Sequence, residues 1–313
     1  MLEPVDPHSA RRGAHRRRLR RRRQLTTAGV LALALAAAVA VVALARGGSS
    51  SSPRPPAATA GPPRVTVRPA TARQASRLEA RGVANIRRLA KLGFPIYCAG
   101  PRGNAVAFTF DDGPGPYTHY ALKKLTQAHE RATFFVVARS MSYFPGWLGK
   151  ELKVAAIGDH TATHPVLPSL SPAQIDWQIT STRQKIEDTI GRPVYLFRPP
   201  YGALDTTVLH TAERLGLLTI MWTVDSADSL GANWAGIIHN VEAGLHPGAI
   251  ILMHENRGQT IRALTTLLPV LHRRHLRSVS LPELFATDPP SVAQVRGGQP
   301  ACGAPAQRTR TGA

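Results

Sequence analysis

Acidic residues are scarce in this chain. Among its 313 residues, 19 Asp and Glu face 39 Lys and Arg, and the formal net charge is +20. Such an excess is typical of nucleic-acid binding, but no recognition motif for nucleic acid accompanies the charge. We therefore expect no nucleic-acid partner. The excess of basic residues is explained either by attraction to an acidic polymer or by a genome that prefers arginine codons.

Long apolar runs are also scarce, and the one that stands out spans residues 28–45. It carries no charge and follows nine arginines between Arg11 and Arg23. A helix of about 18 to 21 residues crosses the hydrocarbon layer of a membrane. We therefore predict a basic cytoplasmic segment over 1–24 and a single transmembrane signal-anchor over 25–45. The basic flank predicts a body outside the cell membrane.

A cleaved signal peptide is the alternative for the same run. Ala43-Leu44-Ala45 has the small-x-small form of a cleavage site, and cleavage would leave a secreted protein. We favour the anchor, because the apolar core of a signal peptide is usually only about 7 to 15 residues long.

Cysteine is limited to Cys98 and Cys302. Both lie in the part that we expect to be exported, where disulfides persist, and they bracket the central region of the chain. We predict a disulfide between them, and two free thiols are the alternative.

Composition divides the rest of the chain into one domain with appendages. Residues 46–69 are rich in Pro, Ser and Gly, which predicts an extended tether. The periodicity of residues 70–100 predicts an amphipathic helix and a lead-in. We place the main domain at 101–287, because the apolar content of the chain suffices for a large core, and a flexible tail at 288–313.

Strand-like and helix-like segments alternate through the main domain. The predicted strands are 105–110, 133–137, 195–198, 218–224, 249–254 and 278–281. The predicted helices are 120–129, 147–156, a helix from Pro172 that Gly191 ends, 205–215, 234–242 and 260–275. This alternation predicts an α/β fold with parallel strands, either a barrel or an open sheet.

Three short strings carry chemistry at the expected strand ends. They are Asp111-Asp112-Gly-Pro, His160-Thr-Ala-Thr-His164 and Arg198-Pro-Pro-Tyr201-Gly. Asp112, His160 and His164 form a plausible catalytic zinc set, although a lone HxxxH also arises by chance among twelve histidines. In parallel α/β folds, reacting groups gather at the C-terminal ends of the strands.

The remaining residues of these strings offer proton transfer. Asp111 is a candidate general base, and Arg198 could relieve its repulsion from Asp112, although Asp-Asp-Gly-Pro is also good turn chemistry. The stiff Pro-Pro-Tyr-Gly loop after Arg198 could direct a backbone N–H group toward an oxyanion. His254 is either a histidine at the edge of the core or a proton donor whose pKa Asp225 raises.

Taken in order, these strings resemble the motifs of the polysaccharide deacetylases, carbohydrate esterase family four, also called the NodB-homology domain. Residues 222–228 and Leu252-Met-His254 resemble the fourth and fifth motifs. The resemblance implies a distorted (β/α) barrel. It also implies a divalent metal, usually zinc, and an N-acetylated glycan substrate.

The resemblance also assigns roles to residues. Asp112, His160 and His164 would hold the metal, and Asp111, oriented by Arg198, would activate water. The backbone of Tyr201 would meet the oxyanion, and His254, tuned by Asp225, would protonate the amine. Trp222 and Leu252 would line the pocket for the acetyl methyl.

Two departures from the family pattern concern specificity. Ser229 stands where the fourth motif commonly has Trp, and the approach to His160 is short. We expect a deacetylase of N-acetylglucosamine or N-acetylmuramic acid in peptidoglycan. The alternatives are a deacetylase of chitooligosaccharides or a secondary wall polymer, and a catalytically silent glycan-binding module.

Overall fold

A curled parallel β-sheet organises residues 72–303, the part of the chain that the computed structural model describes. The predicted cytoplasmic segment, transmembrane anchor and tether lie outside these residues. Among the helices of residues 72–303, none is long and apolar enough to cross a membrane.

Eight strands form the sheet, and they lie in the order β5-β4-β3-β2-β1-β7-β6, with β8 pairing the start of β1. All pairs are parallel. The strands are β1 (Ala105–Gly113), β2 (Ala132–Val136), β3 (Ala155–Asp159), β4 (Leu196–Phe197), β5 (Leu218–Thr219), β6 (Val224–Asp225), β7 (Ile250–His254) and β8 (Arg277–Ser278). The α/β class and the parallel strands are confirmed.

Helices connect the strands and cover the sheet. They are α1 (Ala72–Ala90), α2 (Thr118–Ala128), α3 (Ala138–Tyr143), α4 (Leu148–Glu151), α5 (Pro172–Ile190), α6 (Thr206–Arg214), α7 (Trp234–Gly244), α8 (Gly258–Arg273), α9 (Leu281–Thr287) and α10 (Val292–Gly297). Local signals explain several boundaries. Ser171 caps α5 in a capping box and Gly191 ends it with a left-handed φ of 70°, while Asp205 caps α6.

The lead-in segment runs from β5, at one end of the sheet, to the start of β7, next to the other end. Ile96 bridges Ile220 beyond β5, and Cys98 bridges Ala249 at the start of β7. The disulfide between Cys98 and Cys302 ties this segment to the C-terminal region, with the two Cα atoms 5.9 Å apart. The predicted pairing of the cysteines is present in the structure.

The two faces of the sheet carry separate cores, because alternate residues of a strand point to opposite faces. On one face Phe108, Phe110 and Phe134 pack with residues of α2, α7 and α8. On the other, Ala107 and Phe135 pack with buried residues of α1 and α9. By alternation, the side chains of Thr109 and Asp111 point to this second face as well.

Helix α1 is part of this domain. Its Ile86 and Leu89 are buried, and a Cβ on Gly82 would lie 2.1 Å from the carbonyl oxygen of Pro282 in α9. The amphipathic helix predicted within 70–100 is confirmed, and its apolar side packs against the last helices of the sheet domain.

Four predictions about secondary structure are wrong, each because tertiary pairing or a cap overrides a local pattern. The helix predicted over 147–156 stops at Glu151, and Ala155–Asp159 instead pairs with β2. The strand predicted over 218–224 splits, because its first part pairs with β4 and its last part with β7.

The other two errors concern the C-terminal end. The last strand is short because Ser280 caps α9 in a capping box with Glu283, so that Leu281 begins a helix. Part of the predicted flexible tail is ordered, since α10 and a 3₁₀ turn at Gln299–Ala301 follow Pro290.

Candidate active site

Polar side chains gather where β1, β3, β4 and β7 end. Asp111 and Asp112 close β1, and the strand register is irregular between Asp111 and Gly113. This irregularity coincides with a left-handed φ of 71° at Asp112, a conformation that Asp tolerates better than most residues. The two adjacent carboxylates therefore take different positions. Asp111 is buried, whereas Asp112 is half-buried.

Asp112, His160 and His164 form the candidate metal site. Their three ligand atoms lie within 4.8 Å of one another. Oδ1 of Asp112 is 3.2 Å from Nε2 of His164 and 3.7 Å from Nε2 of His160. The structure therefore brings together the three residues that the sequence predicted as ligands.

The two histidines lie on a braced loop after β3. The side chain of Asp159 accepts a hydrogen bond from the backbone N–H of Thr161 at 2.7 Å. Oε1 of Gln178 in α5 accepts two more, from the backbone N–H groups of Ala162 and Thr163. Thr161 and His164 both have left-handed φ angles. These contacts turn both imidazoles toward Asp112.

The hydrogen bonding of His160 suits a metal ligand. Its Nδ1 lies 2.7 Å from the carbonyl oxygen of Arg198, which can only accept a hydrogen bond. Nδ1 therefore carries the proton, and the lone pair of Nε2 is free to bind a cation. Burial also lowers the pKa of His160, which favours the neutral imidazole that metals bind. Two imidazoles and one carboxylate are a donor set that fits zinc.

Arg198 is fully buried beside Asp111. Its Nη1 donates to Oδ1 of Asp111 and to the hydroxyl of Thr109, both at 2.8 Å. Its Nε and Nη2 donate to the carbonyl oxygens of Ile220 and Met221, and the guanidinium lies 4.2 Å from the ring centroid of Phe135. Burial raises the pKa of Asp111, and the positive charge of Arg198 opposes that rise.

The other oxygen of Asp111 faces the candidate metal site. Oδ2 lies 3.7 Å from Nε2 of His160. One oxygen is thus held by the arginine while the second is directed toward the position where a metal and its water would bind. This is the arrangement that a general base requires.

Tyr201 and Trp222 border the same site. Tyr201 has a left-handed φ of 60°, and its exposed ring packs edge-on against His164 with 4.6 Å between centroids. A Cβ on Gly202 would lie 2.7 Å from the indole of Trp222, so the Pro-Pro-Tyr-Gly loop packs closely on that ring. The predicted Leu252 is buried in β7, two residues before His254. These three residues remain candidates for binding substrate.

His254 lies directly across from Asp111 in the pairing of β1 with β7. Its partner is Asp228 and not the predicted Asp225. Nδ1 of His254 is 2.7 Å from Oδ1 of Asp228, and the backbone N–H of His254 donates to Oδ2 at 2.8 Å. Although burial acts to lower it, the pKa of His254 is raised, because the hydrogen bond to Asp228 and the charge of Asp111 favour the imidazolium.

Asp225 is exposed, and its carboxylate accepts a hydrogen bond from the backbone N–H of Ala227 at 2.7 Å. The prediction failed because a turn follows β6. Ala227 has a left-handed φ of 57°, and the chain folds back so that Asp228 reaches the end of β7. The hydroxyl of Thr260 donates to Oδ2 of Asp228 at 2.5 Å, a partner that no motif indicated.

An acid, a base and a three-ligand set thus share one edge of a parallel sheet, which is what metal-assisted hydrolysis needs.

Comparison with known proteins shows the family to which this chain belongs. A model described as polysaccharide deacetylase matches residues 99–220. A peptidoglycan-N-acetylglucosamine deacetylase of Bacillus cereus is 33% identical over 196 residues, which cover 60% of this chain and 71% of that protein.

Two further relatives extend the comparison. A chitooligosaccharide deacetylase of Azorhizobium caulinodans is 32% identical over 196 residues, covering 57% of this chain and 93% of that protein. The crystal structure of a family 4 carbohydrate esterase pseudoenzyme from Bacillus anthracis aligns with a TM-score of 0.58 at 30% identity, covering 61% of this chain and 68% of that chain. The chain belongs to the polysaccharide deacetylase family.

Proposed function

We propose that this protein is a zinc-dependent deacetylase that hydrolyses the N-acetyl group of an envelope glycan. The N-acetylglucosamine or N-acetylmuramic acid of peptidoglycan is the first choice of substrate. The observation that carries the proposal is the register of β1 with β7, which sets Asp111 directly across from His254 beside the set of Asp112, His160 and His164.

Each proton-transfer group has a partner that suits its role. Arg198 keeps one oxygen of Asp111 occupied and favours its ionised form, so the other oxygen is available to take a proton from water. Asp228 favours the charged form of His254, which can then donate a proton to the departing amine. A zinc ion bound by Asp112, His160 and His164 would supply Lewis acidity and lower the pKa of water.

The remaining contacts would fix the substrate. The ring of Tyr201 packs against His164, and the backbone N–H of Tyr201, whose φ is left-handed, could stabilise an oxyanion. Trp222 and Leu252 would surround the acetyl methyl. Because Asp111 would act as the base on a water molecule that the metal activates, the hydrolysis would need no nucleophilic Ser or Cys.

We also propose that the protein is held at the outer side of the cell membrane by residues 25–45. The charge-free run after nine arginines supports this location. The names of the Bacillus cereus and Azorhizobium caulinodans relatives support the two substrate classes, peptidoglycan and chitooligosaccharide respectively. Secretion after cleavage stays the alternative location.

Product analysis tests the proposed activity. The purified full chain, stripped of metal and reloaded with zinc, is incubated separately with peptidoglycan fragments and with chitin oligomers. We expect acetyl groups to be lost from one set, as measured by mass spectrometry. Chelation and Asp111→Asn should each abolish that loss.

A silent glycan-binding module is the competing function, because a solved family member is described as a pseudoenzyme. The paired base and acid favour the enzyme, since binding alone requires neither group. Tight binding of both glycan sets without any release of acetate would support the module and contradict our proposal.

A further inference from the structure

Asn256 contacts the one metal-ligand oxygen that neither histidine faces. Its Nδ2 lies 3.3 Å from Oδ2 of Asp112, while Oδ1 of Asp112 faces His160 and His164. A carboxylate can only accept hydrogen bonds, so the amide must present its NH₂ group to Asp112. The two oxygens of this ligand are thereby assigned to different partners.

The backbone around Asn256 is held firmly against the end of β1. The N–H of Glu255 donates to the carbonyl oxygen of Asp111 at 3.4 Å, and the buried carboxyl of Glu255 contacts the hydroxyl of Thr118. A Cβ on Gly113 would lie only 1.4 Å from Oε1 of Glu255, so this carboxyl fills the space beneath the glycine. These contacts of Glu255 hold the backbone that carries Asn256 beside Asp112.

Asp112 has a reason to need this support. Its left-handed φ is uncommon for a residue with a side chain, and it lies where the register of β1 is irregular. The hydroxyl of Ser140 holds its carbonyl oxygen at 3.1 Å. Among the described residues, Asn256 supplies the hydrogen bond that orients its carboxylate.

We propose that Asn256 is a positioning residue that directs Oδ1 of Asp112 toward the metal. It also connects the end of β7, which carries the proposed acid His254, to a ligand on β1. The inference rests on the proposed metal dependence. Partners of this kind, one shell outside the metal, typically change metal affinity by about 10- to 100-fold.

Zinc binding to the full chain tests the proposal without any assay of activity. Metal-free wild type and Asn256→Leu, which keeps the branched shape of the side chain and removes the amide, are titrated with zinc against a chromophoric chelator. We expect the variant to bind zinc roughly tenfold or more weakly. Asn256→Ala serves the same purpose should the leucine variant fail to fold.

Asn85→Leu is the matched control. Asn85 donates to the carbonyl oxygen of Phe285 at 2.9 Å, in the contact between α1 and α9. It should lose thermal stability and keep the zinc affinity of wild type. Cobalt loaded in place of zinc adds a spectroscopic readout, because its visible bands report ligand geometry. The bands should change in Asn256→Leu and stay unchanged in Asn85→Leu.

Two outcomes would overturn the inference, and they are distinguishable. Zinc affinity within about twofold of wild type in both Asn256 variants would remove the positioning role and leave the proposed function intact. Failure of the wild type itself to bind zinc would contradict the proposed metal dependence, and the inference would fall with it.

Discussion

The base and the acid of the proposed reaction are neighbours across β1 and β7, yet their partners differ in kind. Asp111 is buried against Arg198, which is itself fully buried and makes hydrogen bonds to four groups. His254 is less buried and is paired with Asp228, a carboxylate held by three hydrogen bonds. One pair joins a cation to the base, and the other joins an anion to the acid.

The two pairs act on pKa in opposite directions with one common result. Burial raises the pKa of Asp111 and opposes its ionisation, and Arg198 counteracts that effect. Burial also opposes the charge of His254, and Asp228 outweighs it. In each case burial acts against the charged form and the partner stabilises it.

Removal of Arg198 should have the largest effect. Arg198→Met leaves Asp111 buried without its cation, so the free energy of unfolding should fall by about 3–5 kcal/mol. Turnover should fall by roughly 10² to 10⁴-fold, because the general base loses its charge and its orientation. Chemical denaturation and acetate release measure the two losses.

Arg183→Met is a matched control for that loss. Arg183 pairs with Glu187 on α5 at 2.8 Å, and both side chains are half-buried. We expect a far smaller loss of stability and near-normal turnover. A folded Arg198→Met variant with wild-type turnover would show that the ion pair plays no part in holding the base.

Asp228→Asn should alter the pH dependence of turnover. The proposed acid must be protonated, so kcat/KM should fall as the pH rises through the pKa of His254. Asp228 raises that pKa, and its loss should therefore move the alkaline limb of the profile to lower pH. A limb that moves by one pH unit reports a loss of about 1.4 kcal/mol in the stabilisation of the imidazolium.

Asp225→Asn tests whether the predicted partner has any share in this effect. Its carboxylate is exposed and serves the turn after β6, so the alkaline limb should stay where it is in the wild type. A displaced limb in Asp225→Asn together with an unmoved one in Asp228→Asn would contradict the assignment.

Thr260→Val should have the smallest effect on turnover. It tests whether the charge of Asp228 or the placement of its carboxylate matters more for His254. The variant keeps the carboxylate of Asp228 and removes one hydrogen bond to it, which should cost about 1.5–3 kcal/mol of stability. Turnover should fall less than in Asp228→Asn, with the alkaline limb unmoved. Thr265→Val, on the exposed side of α8, is the control.

A limb displaced as far in Thr260→Val as in Asp228→Asn would mean that placement of the carboxylate, and not its charge, sets the pKa of His254. The pH profiles of the two variants, measured side by side, decide between these explanations.

The helix ends that the sequence predicted well depend on contacts close together along the chain. Ser171, Gly191 and Asp205 mark helix ends because caps use hydrogen bonds within a few residues. The candidate ligands were also predictable, because parallel strands bring their carboxyl ends to one edge. His160 and His164 lie four residues apart on the loop after β3, and Asp112 lies at the end of β1 in the same sheet.

Two of the features that the sequence did not reveal depend on contacts distant along the chain, and a third depends on an unusual turn. Ala155–Asp159 is rich in alanine and glycine and lacks any strand signal of its own, but it is buried between β2 and β4. The choice between Asp225 and Asp228 depended on a turn with a left-handed alanine, which local pattern does not favour. Asn256 belongs to no recognised string, and only the fold brings it to Asp112.

The packing of α1 on α9 has a consequence for how the chain reaches its final state. These two helices complete the same core, although nearly the whole domain lies between them in the sequence. Contacts between such distant segments form late and slowly. A chain that emerges from its N-terminal end first can therefore complete this core only after α9 has emerged.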